Sequence, residues 1–490
     1  MDADAALTTQ QKALALNLDP ATYGGFAEIG GGQEVARWYF AVGAAATGVA
    51  KSISAYDMAV SDGLYGPARR YVSRQRLEAM LEHEFARLLQ QLETRRGDTT
   101  TFFVFADTVA TRRHGRPENG HGWMGVRFQA HPHDLPSEII LHAHLLDANA
   151  LHEQETLGIL GVNLLHGAFY QRETPERLIG SLVDGLSRAR VEIDMISFAG
   201  PAFAGIDNRL MALQLVEQGL TDAAMFTATG EVVQPSDVLH SKPILVERGS
   251  FRPATKLTLD LLERARQLFV EEPEVRGQGV VVLAEMTLRS LSDGLDVGHL
   301  DFLARADILG ALGLNVLISR FEPYYEVAEY LTRYTDRPIG MAVGLPSVRQ
   351  LADEKYYADL PGGVLESAGR LFKRSVKMYV YPTRDPVSRA IQSVESAPIS
   401  PPWYHLRDLL IQTGRIEPIR HYDETNLSIH TPDVRQRIER GDPSWEEMVS
   451  PVVADMIKTK KLFGYRTTGA SGRVHAPSGA LPAVPPEGHP

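Results

Sequence analysis

The 490-residue sequence contains no cysteine. This absence excludes disulfide bonds, thiolate catalysis and any zinc or iron–sulfur site that needs sulfur ligands. It also favours a reducing compartment, so we expect a cytoplasmic protein. The N-terminal stretch MDADAALTTQQ is acidic and has neither a basic n-region nor an apolar h-region, so the sequence predicts no secretory signal.

Positive charge and long apolar runs are also scarce. Lysine and arginine total 50 against 61 acidic residues, which gives a net charge of −11. Nucleic acids and anionic membranes need a basic face that displaces counterions, so we expect neither as a partner. The longest membrane candidate, from Trp38 to Ala50, has only 13 residues, too few for a bilayer span. We interpret it as a buried, Ala-rich helix.

The pattern of apolar residues predicts several structural units. Between residues 241 and 385, short apolar runs alternate with segments of helical periodicity, which is typical of a parallel sheet covered on both faces. The predicted fold class is therefore α/β, with a parallel doubly wound sheet domain, a second α/β domain and helical N- and C-terminal additions. The predicted units are a mainly helical region (1–98), an α/β domain (99–240), a Rossmann-like parallel α/β domain (241–385), a helical region (386–466) and a disordered tail (467–490).

One stretch, PILVERGSFRPATKLTLDLLERAR from Pro243 to Arg266, reads as a strand, a tight turn and a helix. Such a turn can hold a phosphate at the helix N-terminus, or it can simply connect a strand to a helix. The residues alone leave both interpretations open.

The segment GSFRPATKLT resembles the signature of the nucleotidyltransferase superfamily that includes nicotinate- and nicotinamide-nucleotide adenylyltransferases. In that superfamily a strand leads into GSFDP and then into a Thr/His-x-Gly-His element. The chain also resembles a group of uncharacterised bacterial proteins often labelled nicotinate-nucleotide adenylyltransferase, through LNLDPATYGGFAEIGGGQEVAR and ILVERGSFRP. Residues Gly249, Ser250, Phe251 and Pro253 match the loop, and Thr255 stands at the first Thr/His position.

Three positions depart from this signature. Arg252 stands where the superfamily has Asp, Leu257 replaces the Gly, and Thr258 replaces the second His. The resemblance implies adenylyl transfer from ATP with Mg²⁺, with the cofactor held by Gly249, Ser250, Phe251, Thr255 and Thr258. Threonine cannot become cationic, so Arg252 and Lys256 are expected to supply the positive charge that a triphosphate requires.

Two further charged residues follow predicted strands. Glu285 comes after VVVLA, and Arg320 comes after NVLIS. Ligands of open parallel sheets bind beyond the carboxyl ends of the strands, so these side chains are expected to converge with the 249–258 loop. We therefore predict a catalytic set of Arg252, Lys256, Glu285 and Arg320. The alternative for Glu285 and Arg320 is an ion pair or a helix cap.

Two histidine pairs have the spacing of residues on one face of a strand: His131 with His133, and His142 with His144. Together they could ligate a divalent metal. The alternative, which we favour, is a solvated face opposite Leu141, Ala143 and Leu145. We assign no metal ligand.

The sequence therefore favours a protein that binds a small phosphorylated or nucleotide ligand, with adenylyl transfer as the finer hypothesis. The alternative is a non-catalytic homo-oligomeric scaffold that uses the region from Ala41 to Ala50 and the helical C-terminal region for contacts. A weaker alternative is a metal-dependent hydrolase built on the histidine pairs. We expect a homo-oligomer.

Overall fold

The computed structural model describes residues 7–112, 119–292, 298–373, 375–399 and 403–466. The tail predicted at 467–490 lies outside the described residues. The helices are α1 Thr9–Leu18, α2 Glu34–Ala41, α3 Ala45–Gly48, α4 Met58–Tyr65, α5 Arg74–Arg96, α6 Ala150–Tyr170, α7 Pro175–Ser181, α8 Asn208–Glu217, α9 Pro235–Leu239, α10 Lys256–Glu271, α11 Leu288–Leu291, α12 His299–Ala311, α13 Tyr324–Leu331, α14 Leu345–Leu351, α15 Gly363–Leu371, α16 Trp403–Gln412, α17 Thr431–Arg440 and α18 Pro451–Lys460.

The strands form two large sheets and one short hairpin within the described residues. They are β1 Thr22–Ile29, β2 Val49–Ile53, β3 Thr101–Ala110, β4 Gly120–Phe128, β5 Ser137–Leu145, β6 Val191–Ala199, β7 Ala223–Phe226, β8 Val232–Val233, β9 Ile244–Arg248, β10 Val281–Thr287, β11 Asn315–Ser319, β12 Ile339–Gly344, β13 Val376–Tyr381, β14 Thr383–Arg384, β15 Ile391–Gln392 and β16 Ile416–Pro418.

The first sheet has the order β2-β1-β3-β4-β5-β6. Its first three strands are parallel, and the rest are antiparallel. Alternate residues of β3 point to opposite faces: Phe103 and Phe105 pack with α6, while Phe102 and Val104 pack with α5. The segment 1–98, predicted as mainly helical, therefore also contributes two strands to this sheet.

The second sheet has the order β16-β13-β12-β9-β10-β11-β7-β8. The six strands from β16 to β11 are parallel, and β7 and β8 form an antiparallel edge. Chain order reverses between β9 and β12, which is the doubly wound arrangement. Helices α10 and α12 cover one face, and α13, α14 and α15 cover the other. The predicted α/β fold class is confirmed.

The Ala-rich run from Trp38 to Ala50 is not one buried helix, as the sequence suggested. Helix α2 ends at Ala41, and the backbone turns through Gly43 (φ 88°) and Ala44 (φ 56°). A left-handed conformation of this kind ends a helix and favours glycine. The four-residue α3 and the start of β2 follow, and most of the run is exposed or half-buried. No helix in the described ranges is long and apolar enough to cross a membrane.

Candidate ligand-binding crevice

The turn after β9 uses its own side chains to complete the N-terminus of α10. Thr255 is the N-cap residue and is fully buried; its Oγ1 accepts a hydrogen bond from the backbone N–H of Thr258 at 3.3 Å. The Thr258 hydroxyl in turn accepts from the Thr255 N–H at 3.4 Å. This reciprocal capping satisfies amides that would otherwise be open to a phosphate. The two threonines predicted to hold a cofactor therefore hold each other.

The rest of the turn is directed towards α12. Arg252 Nε donates to Asp301 Oδ1 at 2.6 Å. Asp301 also pairs with the fully buried Arg305, which donates to the carbonyl oxygen of Ser250 at 3.1 Å. Phe251 is 3% exposed and belongs to the core on the α10 side of the sheet. These contacts fix the conformation of the turn from inside the protein, and they direct Arg252 away from the strand ends of the α13 side.

Lys256 stands exposed at the first position of α10. It does not line the crevice at the carboxyl ends of β9, β10 and β11, and neither do Arg252, Thr255 or Thr258. The structure therefore separates the predicted loop residues from Arg320, which does line that cavity.

Glu285 lies near the carboxyl end of β10, between β9 and β11. Its side chain is fully buried, and both of its carboxylate oxygens accept hydrogen bonds. Its Oε2 accepts from Arg248 Nε at 2.9 Å, and its Oε1 accepts from Arg248 Nη2 at 2.8 Å. The hydroxyl of Ser319 donates to the same Oε1 at 2.7 Å. Glu285 and Arg248 are Cα partners on the neighbouring strands β10 and β9. Glu285 therefore positions Arg248 and has no free oxygen with which to meet a ligand, so the ion-pair alternative describes it.

A crevice of about 420 Å³ lies at the carboxyl ends of β9, β10 and β11, on the face covered by α13, α14 and α15. Its cationic lining residues are Arg248, Arg289, Arg320 and Lys355, and Glu322 is the carboxylate among them. Its position agrees with the general rule that ligands bind beyond the carboxyl ends of an open parallel sheet, close to the reversal of strand order.

The cations of the crevice differ in their internal partners. Arg248 is held by Glu285 and donates its third nitrogen to the carbonyl of Glu322 at 2.6 Å. Arg289 lies 3.3 Å from the Glu322 carboxylate, and Lys355 lies 2.9 Å from Asp353. Arg320 is exposed and forms no ion pair with any residue that the structure describes. Arg320 is therefore the cation most available to an incoming anion.

Aromatic side chains form the apolar wall of the crevice: Phe321, Tyr324, Tyr325 and Tyr356. Tyr324 is 8% exposed, and the Arg248 guanidinium lies 4.6 Å from its ring centroid. Burial raises the pKa of the Tyr324 phenol, so the hydroxyl stays protonated and can donate a hydrogen bond. Sequence reasoning missed these tyrosines and Arg289. The run FEPYY, which follows Arg320 at the end of the strand NVLIS, was the available signal for Phe321, Tyr324 and Tyr325.

The residue before Arg248 faces the other side of the sheet. Glu247 is 6% exposed, and its Oε2 has no hydrogen-bond partner among the described residues. Its Cα partners are Ala284 and Ala342, which carry no polar group. Burial raises the pKa of this carboxyl well above its usual range, which favours the protonated form. Glu247 is thus a buried carboxyl group on the α10 side whose surroundings favour its neutral form.

A second Gly-rich turn, Gly30 to Gly32, precedes α2 in the first sheet. The carboxylate of the buried Glu28 accepts from the backbone N–H groups of Val35 at 3.0 Å and Ala36 at 2.9 Å. Gly30 adopts φ 92°, and a Cβ there would lie 1.9 Å from the carbonyl oxygen of Val109. The place of an anion at this helix N-terminus is therefore occupied by the protein's own carboxyl group. Burial raises the pKa of Glu28 to about 7.

The two histidine pairs do not come together. His131 and His133 lie exposed in the turn between β4 and β5, where His133 contacts Asp98 at 2.9 Å. His142 lies near the other end of β5 and is only 2% exposed, because this face of the first sheet is covered. The expected solvated face is therefore wrong for His142, although Leu141, Ala143 and Leu145 do lie in the core as expected.

The fold and crevice define a mixed α/β protein with a parallel doubly wound sheet. Neither a family model nor a curated protein matches the chain. A competence/damage-inducible protein from Agrobacterium tumefaciens is 14% identical and covers 32% of this chain and 93% of its own, with a TM-score of 0.24. A CinA-superfamily protein from Enterobacter cloacae is 13% identical, with coverages of 34% and 96% and a TM-score of 0.26.

A structure provisionally described as a nicotinate-nucleotide adenylyltransferase from Vibrio parahaemolyticus is 15% identical. It covers 46% of this chain and 96% of its own, with a TM-score of 0.24. Matches this distant carry over no activity, so the function must be argued from the residues of this chain.

Proposed function

We propose that the crevice binds a phosphorylated, nucleotide-like small molecule. The observation that carries the proposal is the exposed Arg320 guanidinium, which has no ion pair among the described residues and lines a cavity at the carboxyl ends of parallel strands. A guanidinium presents a rigid fork of donors that matches phosphate oxygens in a bidentate way. Arg289 and Lys355 add positive charge around it.

The size and the wall of the crevice support the nucleotide part of the proposal. A volume of about 420 Å³ falls within the range of small-molecule sites, roughly 300–1,000 Å³. Tyrosine rings offer flat surfaces for a base or a pyridine ring, and their hydroxyls offer donors that fix its orientation. Tyr324, Tyr325 and Tyr356 lie on the same wall, within one cavity of the cations.

Adenylyl transfer from ATP with Mg²⁺ is the finer hypothesis that the sequence resemblance implies. The crevice lining includes one carboxylate, Glu322, whose oxygen already lies 3.3 Å from Arg289. Mg²⁺ usually combines one or two carboxylates with substrate phosphates, so any ion here would depend chiefly on the ligand's phosphates. We derive no transfer step, and we propose ligand binding as the primary activity.

Homo-oligomeric assembly is a second candidate function, favoured by one observation. The segment from Ala41 to Thr47 is largely exposed, and the neighbouring Phe40 is 54% exposed. Light scattering of the purified chain tests this proposal: a dimer that Phe40→Glu converts to a monomer supports it, and a wild-type monomer contradicts it.

A thermal-shift screen tests the binding proposal. ATP, nicotinamide mononucleotide, nicotinate mononucleotide, NAD and sugar phosphates are added to the full chain one at a time. A ligand at 100 times its Kd stabilises the folded state by about 2.7 kcal/mol, which is a readable shift. At least one compound is expected to raise the Tm of the wild type. Arg276→Ala, which removes an exposed arginine that does not line the crevice, serves as the control for non-specific anion effects. No shift with any compound contradicts the proposal.

A further inference from the structure

A cluster of histidines and one aspartate lies where three antiparallel strands of the first sheet meet. His142 and His144 share one face of β5, because they are two residues apart. On β4, His121 is the Cα partner of His144. The pairing of β5 with β6 shifts between His142 and Ala143, and Asp194 is the extra residue of β6 at this bulge. A bulge re-aims a side chain, and here Asp194 reaches both histidines of β5.

The ligating atoms of three residues converge at this point. Asp194 Oδ1 lies 2.6 Å from His142 Nδ1, and Asp194 Oδ2 lies 3.0 Å from His144 Nε2. One candidate ligand atom from each of these three residues lies within 4.8 Å of the other two. Atoms bound at about 2.0–2.2 Å to one small cation lie no more than roughly 4.4 Å apart, so these side chains need only a small adjustment to share an ion.

We propose that His142, His144 and Asp194 bind a divalent first-row transition-metal ion. Imidazole nitrogens suit Zn²⁺, Fe²⁺, Co²⁺ and Ni²⁺, whereas Mg²⁺ and Ca²⁺ prefer oxygen ligands alone. Two histidines with one carboxylate also leave coordination positions open, which is typical of catalytic rather than closed structural sites. His144 is the part of the cluster that reaches solvent, with 27% of its side chain exposed, so an ion enters from that side.

The neighbours of the three ligands hold them in the required orientation. His142 Nε2 lies 3.2 Å from His121 Nδ1, so a proton on Nε2 can be shared with His121 and leaves Nδ1 free for the ion. Gln234, from the segment before α9, donates to Asp194 Oδ2 at 3.1 Å. The Trp123 ring lies 4.9 Å from the His142 ring. Partners of this kind fix ligand orientation, and their loss typically costs about 10- to 100-fold in metal affinity.

The competing explanation is a hydrogen-bonded cluster with no ion. Each contact between Asp194 and a histidine is also short enough for a charge-assisted hydrogen bond. The two explanations differ in what happens when a metal salt is added. A pure hydrogen-bonded cluster has no stoichiometric affinity for the ion.

The test uses the full chain without a histidine tag, freed of metal by a chelator and then titrated with Co²⁺ alone or Zn²⁺ alone. We expect one ion per chain after gel filtration, with Co²⁺ giving visible absorption bands of a low-coordinate site. His144→Ala is expected to weaken the affinity at least 100-fold, and His121→Ala by about 10- to 100-fold. The matched control is His131→Ala with His133→Ala, the exposed pair of identical spacing, which leaves the affinity unchanged.

His142 and Asp194 are almost fully buried, so their variants can fail to fold. The decisive comparison therefore uses His144→Ala, with circular dichroism confirming that the variant is folded. A wild type that retains less than a tenth of an equivalent of either ion overturns the proposal. Equal affinity in the wild type and in a folded His144→Ala also overturns it, as does loss of binding in the His131/His133 control alone.

Discussion

At the carboxyl ends of its strands, the second sheet differs between its two faces in whether the polar groups already have partners within the protein. On the α10 side, the turn after β9 is closed by its own groups: Thr255 and Thr258 cap each other, and Arg252 pairs with Asp301. On the α13 side, the same strand ends form an open crevice with the exposed Arg320. A glycine-containing turn between a strand and a helix therefore indicates a place where an anion can bind. The sequence pattern does not show whether a side chain of the protein already occupies that place.

The first sheet supports the same lesson. The three glycines before α2 form a turn at a helix N-terminus, and the position of an anion there is taken by the Glu28 carboxylate. A turn that can accept a ligand therefore differs from one that cannot in whether its polar groups already have hydrogen-bond or ion-pair partners within the protein.

The largest expected effect comes from the ion pair beneath the crevice. Glu285→Gln leaves the Arg248 guanidinium, whose side chain is only 13% exposed, without its bidentate carboxylate. Removing one partner of a buried pair typically costs about 3–5 kcal/mol. Denaturant unfolding should show a loss of this size, whereas Glu322→Gln at the exposed rim should cost less than about 0.5 kcal/mol. A loss below about 1 kcal/mol for Glu285→Gln would show that Arg248 does not depend on this pair.

The closed turn of the first sheet predicts a pH dependence. The pKa of Glu28 rises in the folded state to about 7 from 4.5, because burial disfavours its charged form. The folded state therefore holds the proton more tightly, so stability falls as pH rises from 4.5 through about 7. Burial and the neighbouring Glu28 also raise the pKa of Asp107, so the two carboxyl groups titrate as a coupled pair. Unfolding measured at pH 5 and pH 8 should show this fall.

Glu28→Gln removes the titrating group and should flatten the Glu28 contribution to that pH dependence. The variant is also less stable at pH 5, because an amide offers one acceptor oxygen where the carboxyl group serves two N–H groups. Glu34→Gln, in the first turn of the same helix, is the comparison: its carboxylate helps to raise the pKa of Glu28, so this variant should reduce the slope only in part. An unchanged slope in Glu28→Gln would contradict the assignment.

A smaller effect is expected at the cap of α10. Thr255→Ala removes the side-chain acceptor for the Thr258 N–H and should cost about 1 kcal/mol. If the turn instead holds a ligand phosphate through these groups, the variant should lose the ligand as well as stability. Thermal melts with and without the ligand found by the screen separate the two outcomes, because a structural cap leaves the ligand-induced shift unchanged.

The smallest effect is expected at Glu247. Burial favours the neutral form of its carboxyl group, and Oε2 has no hydrogen-bond partner among the described residues, so Glu247→Gln replaces it with a neutral group of similar shape. We expect a change of less than about 1 kcal/mol at neutral pH, in contrast to Glu285→Gln on the neighbouring strand. A loss as large as that of Glu285→Gln would mean that Glu247 is ionised and paired.

Much of the architecture could be predicted from the sequence, because continuous apolar strands with helical crossovers specify a parallel sheet. Arg320 was found because it directly follows a strand, and strand ends gather at one edge. The face of the second sheet towards which the side chains of the 249–258 turn point was not predictable, because the motif carries no information about it. The pairing of Glu285 with Arg248 depends on which strands become neighbours, and the position of Asp194 depends on a bulge. Neither feature leaves a local pattern.

We propose that the crevice, rather than the 249–258 turn, holds the anionic ligand. Calorimetric titration of nicotinamide mononucleotide and of ATP into the wild type, Arg320→Ala and Arg252→Ala tests it most directly. We predict that Arg320→Ala weakens the binding of at least one compound by about 10- to 100-fold, as the loss of a charged hydrogen bond requires. Arg252→Ala should change the affinity less than about 2-fold, with its cost in stability instead. Binding lost in Arg252→Ala and kept in Arg320→Ala would contradict the account.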